Sequence, residues 1–178
     1  MRMKKWHIAA FILLAVIVVR IVYVNIVYDK PVSISNKIGE TFTYGDNLEI
    51  KVNNMEAFTK EEWSEELKKA NIDNGDLNYD YIAVLVEFTV TNTSQEEVEF
   101  DRTDVYAEIG TASNGMSLGL SNRINGDNDI SSTYEPGQTK NIKQVYIIDA
   151  VYLNKEKIMS QKIKVKVCEY SAIHTITK

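Results

Sequence analysis

Residues Tyr81 to Thr91 alternate without interruption: Ile82, Val84, Val86, Phe88 and Val90 fall on one face, and Tyr81, Ala83, Leu85, Glu87 and Thr89 on the other. A period of two marks an extended strand, because successive side chains leave a pleated backbone on opposite sides. The first face is wholly apolar and needs a second layer to cover it. The rhythm recurs. Leu48, Ile50 and Val52 alternate with Asn47, Glu49, Lys51 and Asn53. Within 139–149, Ile142, Gln144, Tyr146 and Ile148 oppose Lys143, Val145 and Ile147. Within 162–170, Ile163, Val165 and Val167 alternate with Lys162, Lys164 and Lys166, which puts Cys168 on the lysine-bearing face. Shorter strands are expected at Phe42–Tyr44, 97–100, 105–109 and 172–176.

Turn signals separate these strands. Gly45-Asp46-Asn47 closes the first, and Thr91-Asn92-Thr93-Ser94 follows the long one. Asn92-Thr93-Ser94 also matches a glycosylation sequon and is read here as a turn. Asn114-Gly115 is a hairpin signal that would return Met116, Leu118 and Leu120 antiparallel. The polar stretch 121–133 reads as a loop. Glu135-Pro136-Gly137-Gln138 places Pro and Gly at the centre of a type II turn. Short strands with turns between them predict an all-β, antiparallel sandwich.

One segment departs from the rhythm. Thr59-Lys60-Glu61-Glu62 is a capping box, in which the Thr hydroxyl and the Glu carboxylate each satisfy a free backbone N–H. Trp63, Leu67 and Ala70 then form a narrow apolar stripe, with acidic residues early and Lys68 and Lys69 late, as the helix dipole favours. A helix over 60–70 is expected as a lid on one end of the sandwich.

The N-terminus is a separate object. Ile8 to Val19 carries no polar side chain, and after Arg20 the apolar character continues to Tyr28. As a helix, 8–28 would span about 31 Å, close to a hydrocarbon core of about 30 Å. The basic residues of 1–7 predict a cytoplasmic N-terminus, and Trp6 and Tyr28 fall at the two interfaces. The expectation is a single-pass signal anchor at 8–28, a polar linker at 29–37 and an extracellular domain at 38–178. Secretion after signal cleavage is the alternative, although the first small-x-small site, Ser33-Ile34-Ser35, is far along. Arg20 is read as snorkelling to the outer interface, with an intramembrane partner as the competing reading.

Charge divides at the same place. The chain of 178 residues has 20 basic and 25 acidic side chains. Residues 1–30 hold five of the basic and one of the acidic groups, so residues 31–178 carry a net charge of −9. Such a body repels nucleic-acid phosphate. With two His and one Cys, a His-based metal cage, a Cys-rich zinc site and a linked disulfide framework are excluded.

The order of features is familiar: Ile38-Gly39-Glu40-Thr41-Phe42, then Leu48 to Val52, a strand ending Val90 to Ser94, Asn114-Gly115, and Glu135 to Gln138 before Val145 to Ile148. It resembles the telokin-like, immunoglobulin-fold domains of small exported proteins and lipoproteins of Gram-positive bacteria, many of unknown function. The resemblance covers about residues 38–150. It implies an immunoglobulin-like β-sandwich, here with one inserted short α-helix and an N-terminal transmembrane helix. It carries no catalytic residues to transfer.

Candidate sites are sparse. Asp76, Asn78 and Asp80 have the opening spacing of a calcium loop, but Tyr81 stands where the loop needs Gly. A looser cation site on Asp73, Asp76 and Asp80, or on Asp127 and Asp129, competes with ordinary turn chemistry. A Ser-His-Asp triad would need His174. The expected contact region is the helix 60–70 with loops 71–80 and 121–134, and the residues singled out for binding are Trp63, Asp73, Asp76, Asp80, Asp127, Asp129 and Tyr134. No cofactor and no metal is expected. The leading expectation is a membrane-anchored, extracellular, non-enzymatic binding module for a protein, peptide or envelope partner. The alternatives are an immunity or envelope-stress protein that sequesters a cationic antimicrobial peptide, and a surface hydrolase using acidic residues.

Overall fold

The computed structural model describes residues 5–28, 30–73, 77–126, 132–150, 154–169 and 171–178. The chain divides into two compact units, Met1–Val32 and Ser33–Lys178. The first contains helix α1 (Lys5–Val27), whose segment Ala10–Val27 is long and apolar enough to cross a membrane and buries none of its length in protein. Asn25, a polar residue near its end, turns its amide inward to the carbonyl of Ile21 at 2.8 Å.

The second unit is mostly β-sheet, in two facing layers. Its elements in order are β1 (Val32–Asn36), β2 (Thr41–Tyr44), β3 (Leu48–Thr59), α2 (Lys60–Lys69), β4 (Tyr81–Asn92), β5 (Val98–Glu99), β6 (Val105–Ile109), β7 (Ala112–Gly115), α3 (Leu118–Asn125), β8 (Thr133–Tyr134), β9 (Thr139–Asp149), α4 (Lys155–Met159), β10 (Ile163–Glu169) and β11 (Ala172–Thr177). One sheet has the order β1-β11-β10-β6-β7, the other β2-β3-β4-β9, and β5 pairs with β8. The layers bury the apolar faces expected from sequence: Leu48, Ile50 and Val52 of β3, Ile82, Val84, Val86, Phe88 and Val90 of β4, and Val165 and Val167 of β10 are all fully buried.

Four expectations need correction. Residues 29–37 are not only linker, because Val32–Asn36 pairs with β11 as an edge strand. Val32, Ser33, Ile34 and Ser35 alternate apolar and polar, but all four are exposed, so the strand has no buried face to extend the pattern. Asn114-Gly115 is not the hairpin turn. The register Ile109↔Ala112 places the turn at Gly110-Thr111, where Gly110 has φ +60°. Glycine at the first central position meets the backbone demand of a two-residue hairpin. Leu118 and Leu120 do not return as a strand, and 121–133 is not all loop, because Leu118–Asn125 is helical. The body therefore carries more than one helix: α2, α3 and the short α4 are present among the described residues.

Tertiary bonding explains α3. The outer edge of β9 would otherwise expose unpaired backbone groups, a hazard that proteins blunt by covering. Ser117 N–H donates to the Val145 carbonyl at 2.7 Å, and Ser121 Oγ accepts from Val145 N–H at 2.9 Å. One turn later Asn125 bonds Lys143 twice, donating to its carbonyl at 2.7 Å and accepting from its N–H at 2.8 Å. Polar side chains spaced four apart thus stand in for a missing strand.

Other expectations hold in detail. Gln138 N–H donates to the Glu135 carbonyl at 2.9 Å with Gly137 at φ +72°, as the type II turn requires. Thr59 and Glu62 form both halves of the capping box. Strand β3 runs past its expected end because of a bulge: Val52 faces Phe88 while Asn54 faces Glu87. The extra residue, Asn53, shifts the parity, so that Met55 returns to the core after Val52.

His174 lies in β11, 7% exposed, stacked on Phe42 with ring centroids 4.3 Å apart. Its Nδ1 is 2.9 Å from Asn36 Oδ1, a contact that ties β11 to β1. Burial holds the imidazole below its usual pKa. The unfolded chain then binds the proton first, so stability should be full above the ordinary histidine range and fall as pH drops below it. Urea unfolding between pH 7 and 5 should show this slope, up to about 1.4 kcal/mol per pH unit. His174→Gln should flatten it; an unchanged slope in that variant would assign the acid sensitivity elsewhere.

Candidate groove on the outer face of the sheet

Helix α2 does not lid an end of the sandwich. It lies across the outer face of the β3–β4–β9 sheet, where a second buried cluster forms from Trp63, Leu67, Tyr81, Ala83, Leu120, Val145 and Ile147. Strand β4 is consequently buried on both sides at its beginning. The helix ends on Ala70, with Asn71 in the left-handed region at φ +55°. Asn71 N–H donates to the Lys68 carbonyl and Ile72 N–H to the Leu67 carbonyl, at 3.0 and 2.8 Å. This six-to-one closure brings Ile72 back onto Leu67 and the second cluster.

Cross-strand register shows why a groove opens here. On the outer face Phe58, Ala83 and Ile147 form one row, Glu56, Leu85 and Val145 the next, and Asn54, Glu87 and Lys143 a third. The face grades from apolar to polar along the strands. Beyond the third row Thr89 bonds both Asn53 and Asn141, and Thr91 bonds Thr139. Helix α2 covers only the apolar end.

Between the partial cover and the polar rows lies a groove of about 490 Å³. Its apolar lining is Phe58, Trp63, Leu67, Ile72, Leu85 and Ile124, with Ala70 beside them. Its polar rim is Asn54, Glu56, Glu66, Glu87 and Lys143. Pockets for small ligands span roughly 300–1,000 Å³ and have this make-up of apolar lining with a few polar groups. Phe58 and Trp63 pack with centroids 5.5 Å apart. Trp63 is 1% exposed, and its indole Nε1 has no hydrogen-bond partner among the described residues.

Each rim carboxylate is engaged. Glu87 pairs with Lys143 at 3.1 Å, Glu66 with Lys69 at 2.5 Å, and Glu56 accepts from the Asn54 amide at 3.0 Å. The Glu66 carboxylate holds the Lys69 ammonium above the usual lysine range. The arrangement is one of charge and shape. Among the described residues that line it, no nucleophile is paired with a base.

The structure brings together only part of the expected contact region. Trp63 lines the groove, and the Asp73 carbonyl accepts from Arg123 Nη1 at 2.7 Å, which ties the segment after α2 to α3. Asp80 is elsewhere, its carboxylate paired with Lys155 of α4. Tyr134 is no surface residue: it is 1% exposed in the sandwich core, with Lys140 Nζ 4.9 Å from its ring centroid. Tyr81 and Tyr146 are buried too, whereas Tyr79 is exposed. Asp76, Asp127 and Asp129 lie outside the described residues. Among the described residues no group of three metal-ligating side chains occurs.

Sequence reasoning missed Phe58, Leu85, Ile124 and the rim glutamates Glu56, Glu66 and Glu87. The signal for the first two was present. Tyr81, Ala83 and Leu85 make the second face of β4 apolar at one end, and an apolar outer face requires a cover.

Cys168 is half-buried on the opposite sheet, on the same outer face as Lys164 and Lys166. Both lysines meet Glu108, at 3.1 and 2.6 Å, and Lys166 Nζ stands 5.5 Å from the Tyr106 ring centroid. Burial and a hydrogen bond with Cys168 hold the Tyr106 hydroxyl above its usual pKa.

No known family model matches the sequence, and no curated protein matches it. Solved structures with a similar arrangement include a conserved hypothetical protein from Bacillus anthracis, at 16% identity and TM-score 0.48 over 72% of this chain and 87% of that one. An uncharacterized β-sandwich protein from Clostridium difficile 630 matches at 15% identity and TM-score 0.47, over 84% of this chain and 97% of that one. A functionally unknown protein from Listeria monocytogenes EGD-e matches at 8% identity and TM-score 0.47, over 71% and 69%. No residue role or activity carries over from them.

Proposed function

We propose that the chain is a membrane-anchored, non-enzymatic binding module of a bacterial cell surface, with the groove beside α2 as its contact surface. The observation that carries this reading is the groove itself: an apolar lining from four elements, left half-covered, inside a rim of engaged carboxylates. Its walls are partly buried apolar side chains (Phe58, Ile72, Leu85 and Ile124) beside a few polar groups, the make-up of a ligand-binding cleft. Helix α1 has the length and composition of an anchor, and the basic residues before it favour a cytoplasmic start. An acidic, cysteine-poor body suits the outer face. We also take the sandwich to be immunoglobulin-like and akin to the telokin-like domains, a reading supported by the order of its strand and turn motifs.

A photo-crosslinking amino acid at Ala70, on the groove mouth, tests the reading in intact cells. Placed at Thr177 on the other sheet, the same group serves as control. The expected result is a discrete adduct at Ala70 that is absent at Thr177. Equal labelling at both positions, or none at Ala70, would defeat the proposal.

A further inference from the structure

We infer that the occupant of this groove is a cationic amphipathic segment, such as one helix of a peptide or partner protein. Its apolar side chains would sit on Phe58, Leu85 and Ile124 and its basic side chains on Glu56, Glu66 and Glu87. The inference rests on the groove being the contact surface and adds the chemistry of what fills it.

Three observations converge. The lining is apolar and comes from both walls and the floor: α2 supplies Trp63 and Leu67, β3 and β4 supply Phe58 and Leu85, and α3 supplies Ile124. An occupant must therefore present apolar side chains on one face, the pattern of a helix laid in a groove. The rim is acidic, with three glutamates and one lysine; Lys143 pairs with Glu87 at 3.1 Å, and Lys69, at the exposed end of α2, pairs with Glu66 at 2.5 Å, so both pairs are solvent-facing. Among the described residues Glu56 has the neutral Asn54 amide as its partner and no cation. The surrounding body carries −9 over residues 31–178, which adds a long-range pull on cations and a barrier to anions.

The same features disfavour other occupants. An anionic lipid surface or a phosphorylated ligand would meet carboxylates at the rim. A purely apolar ligand would leave the rim without a role. A cationic amphipathic segment satisfies both parts of the surface at once, and charge complementarity of this kind governs encounter rate and partner choice.

The test uses the full chain in zwitterionic nanodiscs, with empty nanodiscs as blank. The probes are a fluorescent amphipathic helical peptide of Leu and Lys and its Leu/Glu counterpart. The Leu/Lys peptide should bind, more weakly as salt rises, and the Leu/Glu peptide should not. The double charge reversal Glu56→Lys with Glu66→Lys should weaken binding by about tenfold or more. Ala70→Trp, which fills the mouth from an exposed helix end, should abolish it. Circular dichroism confirms that each variant is folded. Equal binding of both peptides, or indifference to the charge reversal, overturns the cationic occupant; if Ala70→Trp still abolishes binding, the groove remains the contact surface. Indifference to Ala70→Trp overturns both. No binding of the Leu/Lys peptide overturns this inference and leaves the crosslinking result to decide the broader one.

Discussion

Replacing Asn92 by alanine is expected to lower the unfolding free energy by about 2–4 kcal/mol, a large share of what a domain of this size has. Asn92 is fully buried at the end of β4. Its Nδ2 donates to the Glu96 carbonyl at 2.7 Å and to the Tyr134 carbonyl at 2.8 Å. Its Oδ1 accepts from the N–H and the hydroxyl of Ser94, at 2.9 and 2.8 Å. One side chain thus closes the turn after β4 and fastens it to β8. Alanine strands the buried Tyr134 carbonyl and frees the Ser94 N–H, while the Glu96 carbonyl keeps the Ser94 hydroxyl as a donor; a stranded buried group costs more than its bond contributes net.

Asn92→Asp separates this mechanism from simple loss of packing. The aspartate keeps Oδ1 as an acceptor but turns an anionic oxygen toward two carbonyls. It should be worse than alanine at neutral pH and recover on acidification, when the carboxyl can donate again. Equilibrium urea unfolding of the full chain in detergent, followed by far-ultraviolet circular dichroism, reads both effects. A loss under about 0.5 kcal/mol for alanine, the size of an ordinary surface change, would reject the account. The same bonds bear on the Asn92-Thr93-Ser94 sequon: the nitrogen a glycan would need is already donated twice, so the turn reading stands.

The long elements were legible because each satisfies one dominant rule. In β4 and β9 the period of two coincides with the true faces over their whole length. In α2 the capping box, the stripe of Trp63 and Leu67 and the charge order all agree. The elements that escaped depend on partners remote in sequence. Helix α3 forms from a polar stretch because Ser121 and Asn125 complete the edge of β9, about twenty residues on. Strand β1 is short and exposed over four of its five residues, so its pairing to β11 rests on backbone bonds and not on a buried face. The hairpin was misplaced by a competition between two glycines: Asn114-Gly115 has the stronger local signal, but Gly110 has the left-handed backbone that the register requires. Sites suffered more than elements. Asp80 and Tyr134 looked like exposed loop residues, yet one is paired with Lys155 and the other is buried core. The groove was hidden because its floor and both walls come from separate elements, and only register brings Phe58, Leu85 and Ile124 to one place.

Trp63→Ala should produce the other large effect, and a local one. Truncating a buried tryptophan costs about 3–5 kcal/mol when the site cannot collapse. Trp63 belongs to the smaller cluster on the outer face and not to the core between the sheets. Its loss should therefore loosen α2 and the groove before the sandwich. Hydrogen exchange should show the amides of 60–72 losing protection strongly, while those of β6 and β10 keep theirs. Trp63→Phe is the informative companion. Among the described residues the indole Nε1–H has no partner, and it would regain water on unfolding, so phenylalanine removes a liability while retaining most of the ring packing on Phe58. It should cost under about 1.5 kcal/mol. Uniform loss of protection across both clusters in Trp63→Ala would mean that the outer cluster is an integral part of one core. A groove built on such a core could not open or close independently of the whole domain. If α2 loosens alone, the outer face is a separately tunable layer, and changes there can alter binding while the sandwich beneath stays folded.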